Sequence, residues 1–256
     1  PVRELGENKY AFAVYEAPEE FIRPELRDED KWSAEREIKV EISSSELEES
    51  FPIKITRPPV ALVHGLSSSA AYWNDFLPLY SENSSHASFY VDTVNYKSTN
   101  KAAFDTNKGK VLDQVEDIIQ EYKDYMNVAA TQANLVNHSM GGNLTRAAAL
   151  MPSYSGNKNF GVGYFNKVIN IASPHFGSRF ATEILEAGDV KWFDNFFDSN
   201  FNGKAFWDLA WGSNEIQELT LNSGPKSHNI VCIAPEPDIT NVEVGNLLTV
   251  FNWSQK

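Results

Sequence analysis

The sequence predicts an α/β fold: a mostly parallel sheet flanked by helices, with a small N-terminal β-appendage and an aromatic-rich cap insertion. Three observations carry this. From residue 58 onward, apolar runs alternate with helical patterns, as a parallel sheet with crossover helices requires. Three of those runs end in small-residue or polar loops, so their strand-to-loop junctions fall on one edge of the sheet. The first 57 residues instead show period-two spacing, the mark of half-buried antiparallel strands.

In order along the chain, residues 1–57 are densely charged between Glu16 and Glu49. Within them Ile38, Val40 and Ile42 alternate with charged neighbours, and Phe51, Ile53 and Ile55 alternate with residues of mixed polarity. This is a β-strand-containing appendage, either the tail of a separate β-module or extra strands at the edge of the main sheet. Its boundary falls near Arg57-Pro58-Pro59, and the main domain runs from 58 to 256. There a strand ending at Val63 is followed by a helix from Ala70 to Tyr80 and a strand from Phe89 to Tyr96. Val111, Leu112, Val115, Ile118, Ile119, Tyr122 and Met126 then recur at helical spacing, an ordinary core stripe. A strand over 133–138, another over 167–172 and a last apolar run over 229–234 complete the pattern. Cys232, the single cysteine, lies in that last run and reads as a core residue that forms no intrachain disulfide.

Composition narrows the class. With 256 residues and 42% hydrophobic content the chain can bury one substantial core plus a modest appendage. A net charge of -13 argues against nucleic acid as a partner, since phosphate backbones demand clustered Lys and Arg. No apolar stretch approaches the roughly 20 residues of a membrane span, and no signal-peptide pattern opens the chain. It begins at Pro1, which suggests a processed product or fragment in which any targeting sequence would be invisible; a secreted or cell-envelope location is favoured over the cytoplasm.

The chemistry concentrates in Ala133-Asn134-Leu135-Val136-Asn137-His138-Ser139-Met140-Gly141-Gly142, a buried strand turning into a helix with a serine at the bend. A serine hydroxyl is a poor nucleophile unless it is exposed beside a base, and a strained turn at the end of a strand presents it to the following helix's dipole. Gly141 lets strand and helix approach without a Cβ clash, and Gly142 adds room. The usual pattern is G-x-S-x-G, and its first glycine is here Asn137, a residue type that tolerates unusual backbone angles. Upstream, Val60-Ala61-Leu62-Val63-His64-Gly65-Leu66-Ser67 ends a short strand in a small-residue loop where an oxyanion hole would sit. Downstream, Ile169-Asn170-Ile171-Ala172-Ser173-Pro174-His175-Phe176-Gly177-Ser178 runs from a third strand into a polar loop.

On Val63-His64-Gly65-Leu66, Asn137-His138-Ser139-Met140-Gly141-Gly142 and Ala172-Ser173-Pro174-His175-Phe176-Gly177-Ser178, the chain resembles the α/β-hydrolase superfamily and, within it, the lipase-like branch. The resemblance covers roughly residues 58 to 238 and implies an α/β-hydrolase fold. It implies Ser139 as nucleophile, with the backbone amides of Leu66 and Met140 as the oxyanion hole. In this fold the acid and then the histidine follow the serine on later loops. Asp238 is the acid candidate by position, against a solvated turn carboxylate as the alternative.

None of the five histidines fits the base comfortably. His64 and His86 precede the serine, His138 adjoins it, and His228 opens a strand on the wrong edge. His175 is on the correct edge, but in similar lipases the Pro-His segment borders the site without acting as base. The family's strand before the catalytic histidine has no counterpart up to Lys256, so the chain taken alone is expected to be an incomplete catalyst. Between about 178 and 226 an aromatic-rich stretch, including Trp192, Phe193, Phe196, Phe197, Phe201, Phe206, Trp207 and Trp211, suits a cap or lid. Its rings either pack a cap core or wall an acyl-chain tunnel.

Residues and resemblance together predict a lipase-like carboxylic-ester hydrolase with an acyl-enzyme intermediate. It needs no organic cofactor, no residue is assigned as a metal ligand, and its partner is a small ester or lipid substrate, with contact at a lipid interface. Two alternatives remain: a non-catalytic binding or structural protein that keeps the fold, and a serine amidase or peptidase on the same scaffold.

Overall fold

The computed structural model describes residues 2–6, 8–11, 15, 17–18, 20–43, 48–74, 76, 89–187, 203–222 and 230–233. The chain divides into two compact units, with the break between Arg57 and Pro58.

In the first unit, β1 (Val2–Leu5) and β2 (Asn8–Ala11) pair as an antiparallel hairpin. A single helical turn, α1 (Arg27–Asp30), precedes β3 (Glu35–Ser43) and β4 (Glu48–Thr56), which pair antiparallel along their length. Ile38 stands opposite Ile53 and Val40 opposite Phe51, so the period-two pattern places these apolar side chains on one face. That face is partly covered: Ile55 is buried, Ile38, Val40 and Ile53 are half-buried, and Phe51 and Ile42 are exposed. Asp30 closes the unit from inside. Its buried carboxylate accepts from the Arg23 backbone N–H at 2.9 Å and from the guanidinium Nε and Nη2 at 2.8 and 2.6 Å. These bonds hold its pKa well below the usual carboxylate range.

The second unit is built on a five-stranded sheet in the order β6-β5-β7-β8-β9, where β5 is Val60–Val63, β6 Val91–Val94, β7 Ala133–His138, β8 Phe165–Ile171 and β9 Ile230–Ile233. Every neighbouring pair is parallel, so all five strands end at the same edge. Strands buried on both faces read as continuous apolar runs, because successive side chains serve opposite layers. Ala61, Val63 and Leu135 pack on one side beneath α2 (Phe104–Met126) and α3 (Met140–Ala149). Val60, Leu62 and Val136 pack on the other around Trp73. The core stripe of α2 runs from Val111 to Tyr122 as its spacing predicts, and Met126 at the last turn is only half-buried.

Elements at the margins differ from expectation. The helix expected from Ala70 is a 3-10 turn over Ala70–Trp73, and most of 75–80 lies outside the described residues. The strand expected to reach Tyr96 stops at Val94, since β5, its partner, supplies only four residues of ladder. Within the aromatic insertion lie α4 (Arg179–Ala187), α5 (Lys204–Leu209) and α6 (Asn214–Leu221). Phe206 belongs to the core, whereas Trp207 and Trp211 are more than half exposed; the aromatics from Trp192 to Phe201 lie outside the described residues. Among the described residues no helix is long and apolar enough to cross a membrane.

Candidate catalytic site

Ser139 sits between β7 and α3 with φ 54° and ψ -126°, a backbone region that costs a non-glycine residue about 1–3 kcal/mol. The turn is held from both sides. The Ser139 N–H donates to the Ile171 carbonyl at the end of β8 at 3.0 Å, and its own carbonyl accepts from Gly142 at 3.1 Å. Its Oγ is buried, where the sequence predicts an exposed hydroxyl, because the loop after β5 packs against the serine; it has no hydrogen-bond partner among the described residues. Met140 is the first residue of α3, where an amide has no partner inside the helix.

The bend is tight because glycine occupies its contacts. A Cβ on Gly141 would stand 2.7 Å from the His64 carbonyl and 2.8 Å from that of Val63, so only glycine lets α3 start against the end of β5. A Cβ on Gly65 would stand 2.9 Å from the Ser139 Cβ, which puts the loop after β5 directly on the serine. The chain thus brings together Ser139, Met140 and the Gly65-Leu66 loop. Gly142 packs on Asn170 and Ser173, which brings the end of β8 to the same place.

Asn137 answers the departure from G-x-S-x-G differently from its backbone tolerance. It lies in regular β7 ladder opposite Asn170, and the left-handed φ belongs to Ser139 itself. Its side chain donates from Nδ2 to Asn170 Oδ1 at 2.8 Å and accepts from Thr145 Oγ1 at 3.0 Å. Asparagine is here a buried tie between β7, β8 and α3. Asn143 adds a second tie, donating to the Pro174 carbonyl at 2.9 Å.

Among the described residues three histidines surround the bend, and none bonds to Ser139 Oγ. His138 stacks on Tyr72 with ring centroids 4.4 Å apart, both its nitrogens are buried without partners among the described residues, and burial pushes its pKa down to about 4. His175 has both ring nitrogens buried and without partners among the described residues; burial, with the nearby Arg146 charge, pushes it down to about 4 as well. Arg146 fixes its backbone instead, donating to the His175 carbonyl at 2.9 Å. His64 is fully buried and lowered by burial. His86, His228 and Asp238 lie outside the described residues, as do Cys232's side-chain surroundings. Among the described residues no cluster of His, Cys, Asp and Glu could hold a metal ion.

The residues around the bend that sequence inspection missed are polar. Asn100 and Tyr96 bond to the loop after β5, and Asn170 and Thr145 bond to Asn137 in β7; the first three reach residues more than 30 positions away. Beside the loop that follows β8, a shallow groove of about 440 Å³ is lined chiefly by Phe176, Trp211, Ile216, Thr220 and Leu221. Arg179 places its guanidinium 5.6 Å from the Trp211 ring.

A strand, a strained serine and a helix at the centre of a parallel sheet, with the neighbouring glycine loop against the serine, define an α/β-hydrolase. Within that class the chain belongs to the family described as "Putative serine esterase (DUF676)", which matches residues 59–199, more than half of its length. No curated protein matches it. Solved structures similar to it include the mature form of lipase BlEst2 from Bacillus licheniformis, at 18% identity and TM-score 0.49, covering 67% of this chain and 63% of that one. Phospholipase PlaB from Legionella pneumophila is similar at 19% identity and TM-score 0.48, covering 70% and 39%. Lipase B from Aspergillus fumigatus is similar at 19% identity and TM-score 0.44, covering 66% and 34%. The chain therefore spans less than two thirds of each of these proteins.

Proposed function

We propose that this chain is a lipase-like carboxylic-ester hydrolase that works by acyl transfer through Ser139. Ser139 Oγ attacks the ester carbonyl carbon and its proton passes to a base, for which Asp238 serves as the carboxylate partner. The carbonyl oxygen becomes an oxyanion held by the Leu66 and Met140 amides. Collapse of the tetrahedral adduct expels the alcohol, which takes the proton, and leaves an ester on Ser139. Water repeats the sequence and releases the acid.

The observation that supports this most is the positive φ at Ser139, held at the junction of β7 and α3 with the loop after β5 against it. Exposed Phe176, Trp211 and Leu221 beside the loop after β8 favour an ester with an apolar chain. On a short soluble ester, Ser139→Ala is expected to lower turnover by roughly 10^3 to 10^6. Unchanged turnover in that variant would remove the assignment, and faster cleavage of a matched amide than of the ester would favour an amidase.

A further inference from the structure

The segment after β6 grips the loop that carries the Leu66 amide. The Gly65 carbonyl accepts from Asn100 Nδ2 at 2.9 Å and lies 3.0 Å from His64 Nδ1. Two residues on, the Ser67 N–H donates to Asn100 Oδ1 at 2.5 Å. Leu66 lies between these two anchors. The Gly65 C=O and the Leu66 N–H belong to one planar trans peptide and point in opposite directions, so fixing the carbonyl aims the amide. Ser67 has φ 53°, a conformation that this loop must be held in. Asn100 is 4% exposed, so water does not compete for the bonds it makes.

Tyr96 holds the same loop one residue earlier. Its ring stacks on His64 with centroids 4.0 Å apart and planes 12° from parallel, and its hydroxyl donates to the His64 carbonyl. Its backbone N–H points at His64 Nε2 from 3.3 Å. Nε2 therefore accepts while Nδ1 donates to Gly65, which assigns the neutral tautomer of His64 with its proton on Nδ1. His64 is thus spent on backbone contacts on both sides of its ring.

We infer that Asn100, seconded by Tyr96 and the His64 ring, is a positioning residue that sets the direction of the Leu66 amide in the oxyanion hole. This rests on the proposed roles of Ser139 and Leu66. Asn100 and Tyr96 act through the backbone of the loop after β5, bonding to its His64 and Gly65 carbonyls and its Ser67 N–H. Their loss should weaken stabilisation of the tetrahedral adduct more than binding of the ester.

The test uses Asn100→Ala and Tyr96→Phe in the full chain, with kcat and KM on a short ester and the inhibition constant of an alkylboronic acid, which forms a tetrahedral adduct on a reactive serine. Asn100→Ala is expected to lower kcat about 10- to 100-fold, because the donor is misaimed rather than deleted, with KM within about threefold. Boronate affinity should fall by the same factor as kcat. Tyr96→Phe keeps the stacked ring and removes one hydroxyl, so both quantities should fall together by a smaller factor, and this variant carries the test if Asn100→Ala does not fold. Unchanged kcat and boronate affinity in the folded variants, or a loss of kcat with boronate affinity intact, would overturn the inference. A wild-type chain that binds no boronate would overturn the hydrolase assignment itself, whereas slow turnover is what a chain without its catalytic histidine gives.

Discussion

Holding Ser139 at a positive φ requires neighbours that fit the bend, and Gly65 is one of them. Its missing Cβ is what lets the β5 loop reach the serine. Gly65→Ala should move that loop by about an ångström, enough to lower kcat/KM about 100-fold, and overpacking of this kind costs roughly 1–3 kcal/mol of stability. Esterase kinetics beside a denaturation curve would separate the two effects. His175 gives a prediction with a sign. Burial keeps its ring neutral down to about pH 4, whereas a base that drives acyl transfer near neutrality titrates nearer ~6.5. The acid limb of the kcat/KM profile should therefore persist unchanged in His175→Ala, and its disappearance would make His175 the base. At this scale the sequence was legible where one residue type has one use: the serine at a strand-to-helix bend and the glycines around it. Asn137 was found but its reason was not, because a tie to Asn170 across the sheet and to Thr145 on the next helix leaves no mark in local spacing.

Helix α2 begins without a side-chain cap of its own, and Asp208 from α5 supplies one across 104 positions, accepting from the Phe104 N–H at 2.8 Å while pairing with Lys204. Asp208 is fully buried and Lys204 is mostly exposed, so the two partners are not equivalent. Asp208→Ala strands a buried donor at a helix N-terminus and should cost about 1–3 kcal/mol. Lys204→Ala releases an exposed pair and should cost under about 1 kcal/mol. Denaturant midpoints of the two variants test the ordering. In the appendage, Asp30 titrates well below its ordinary range because Arg23 bonds to the ionised form. A depressed carboxyl gives stability that is complete above its unfolded pKa and lost as pH falls through the folded one. Asp30→Asn should thus weaken the appendage at neutral pH and flatten its acid sensitivity below about pH 4. Amide exchange across β3 and β4 at several pH values reads this directly. Strands and the long helix were legible because their periodicity is the burial pattern itself. The 3-10 turn at Ala70–Trp73 was read as a full helix because its apolar residues have the same spacing over one turn.

Across the molecule, the parallel sheet gathers loops from β5, β7 and β8 at one edge, and three exposed apolar side chains of the second unit lie beside one of those loops. Phe176, Trp211 and Leu221 are 62%, 56% and 83% exposed, and exposed side chains of this size in one groove suit contact with aggregated ester. Trp211→Ala should slow hydrolysis of an emulsified long-chain ester several-fold and leave a soluble acetate nearly unaffected. Equal losses on both would mean a damaged fold. The aromatic stretch shows where composition stops being informative, since Phe206 is core and its neighbour Trp207 is exposed although both read alike in the sequence. The central claim is that Ser139 is a nucleophile, and covalent labelling tests it most directly. A fluorophosphonate probe followed by peptide mapping should place a single adduct on Ser139, absent from Ser139→Ala and formed more slowly in Asn100→Ala. An adduct on another serine, or equal labelling of the alanine variant, would contradict the account.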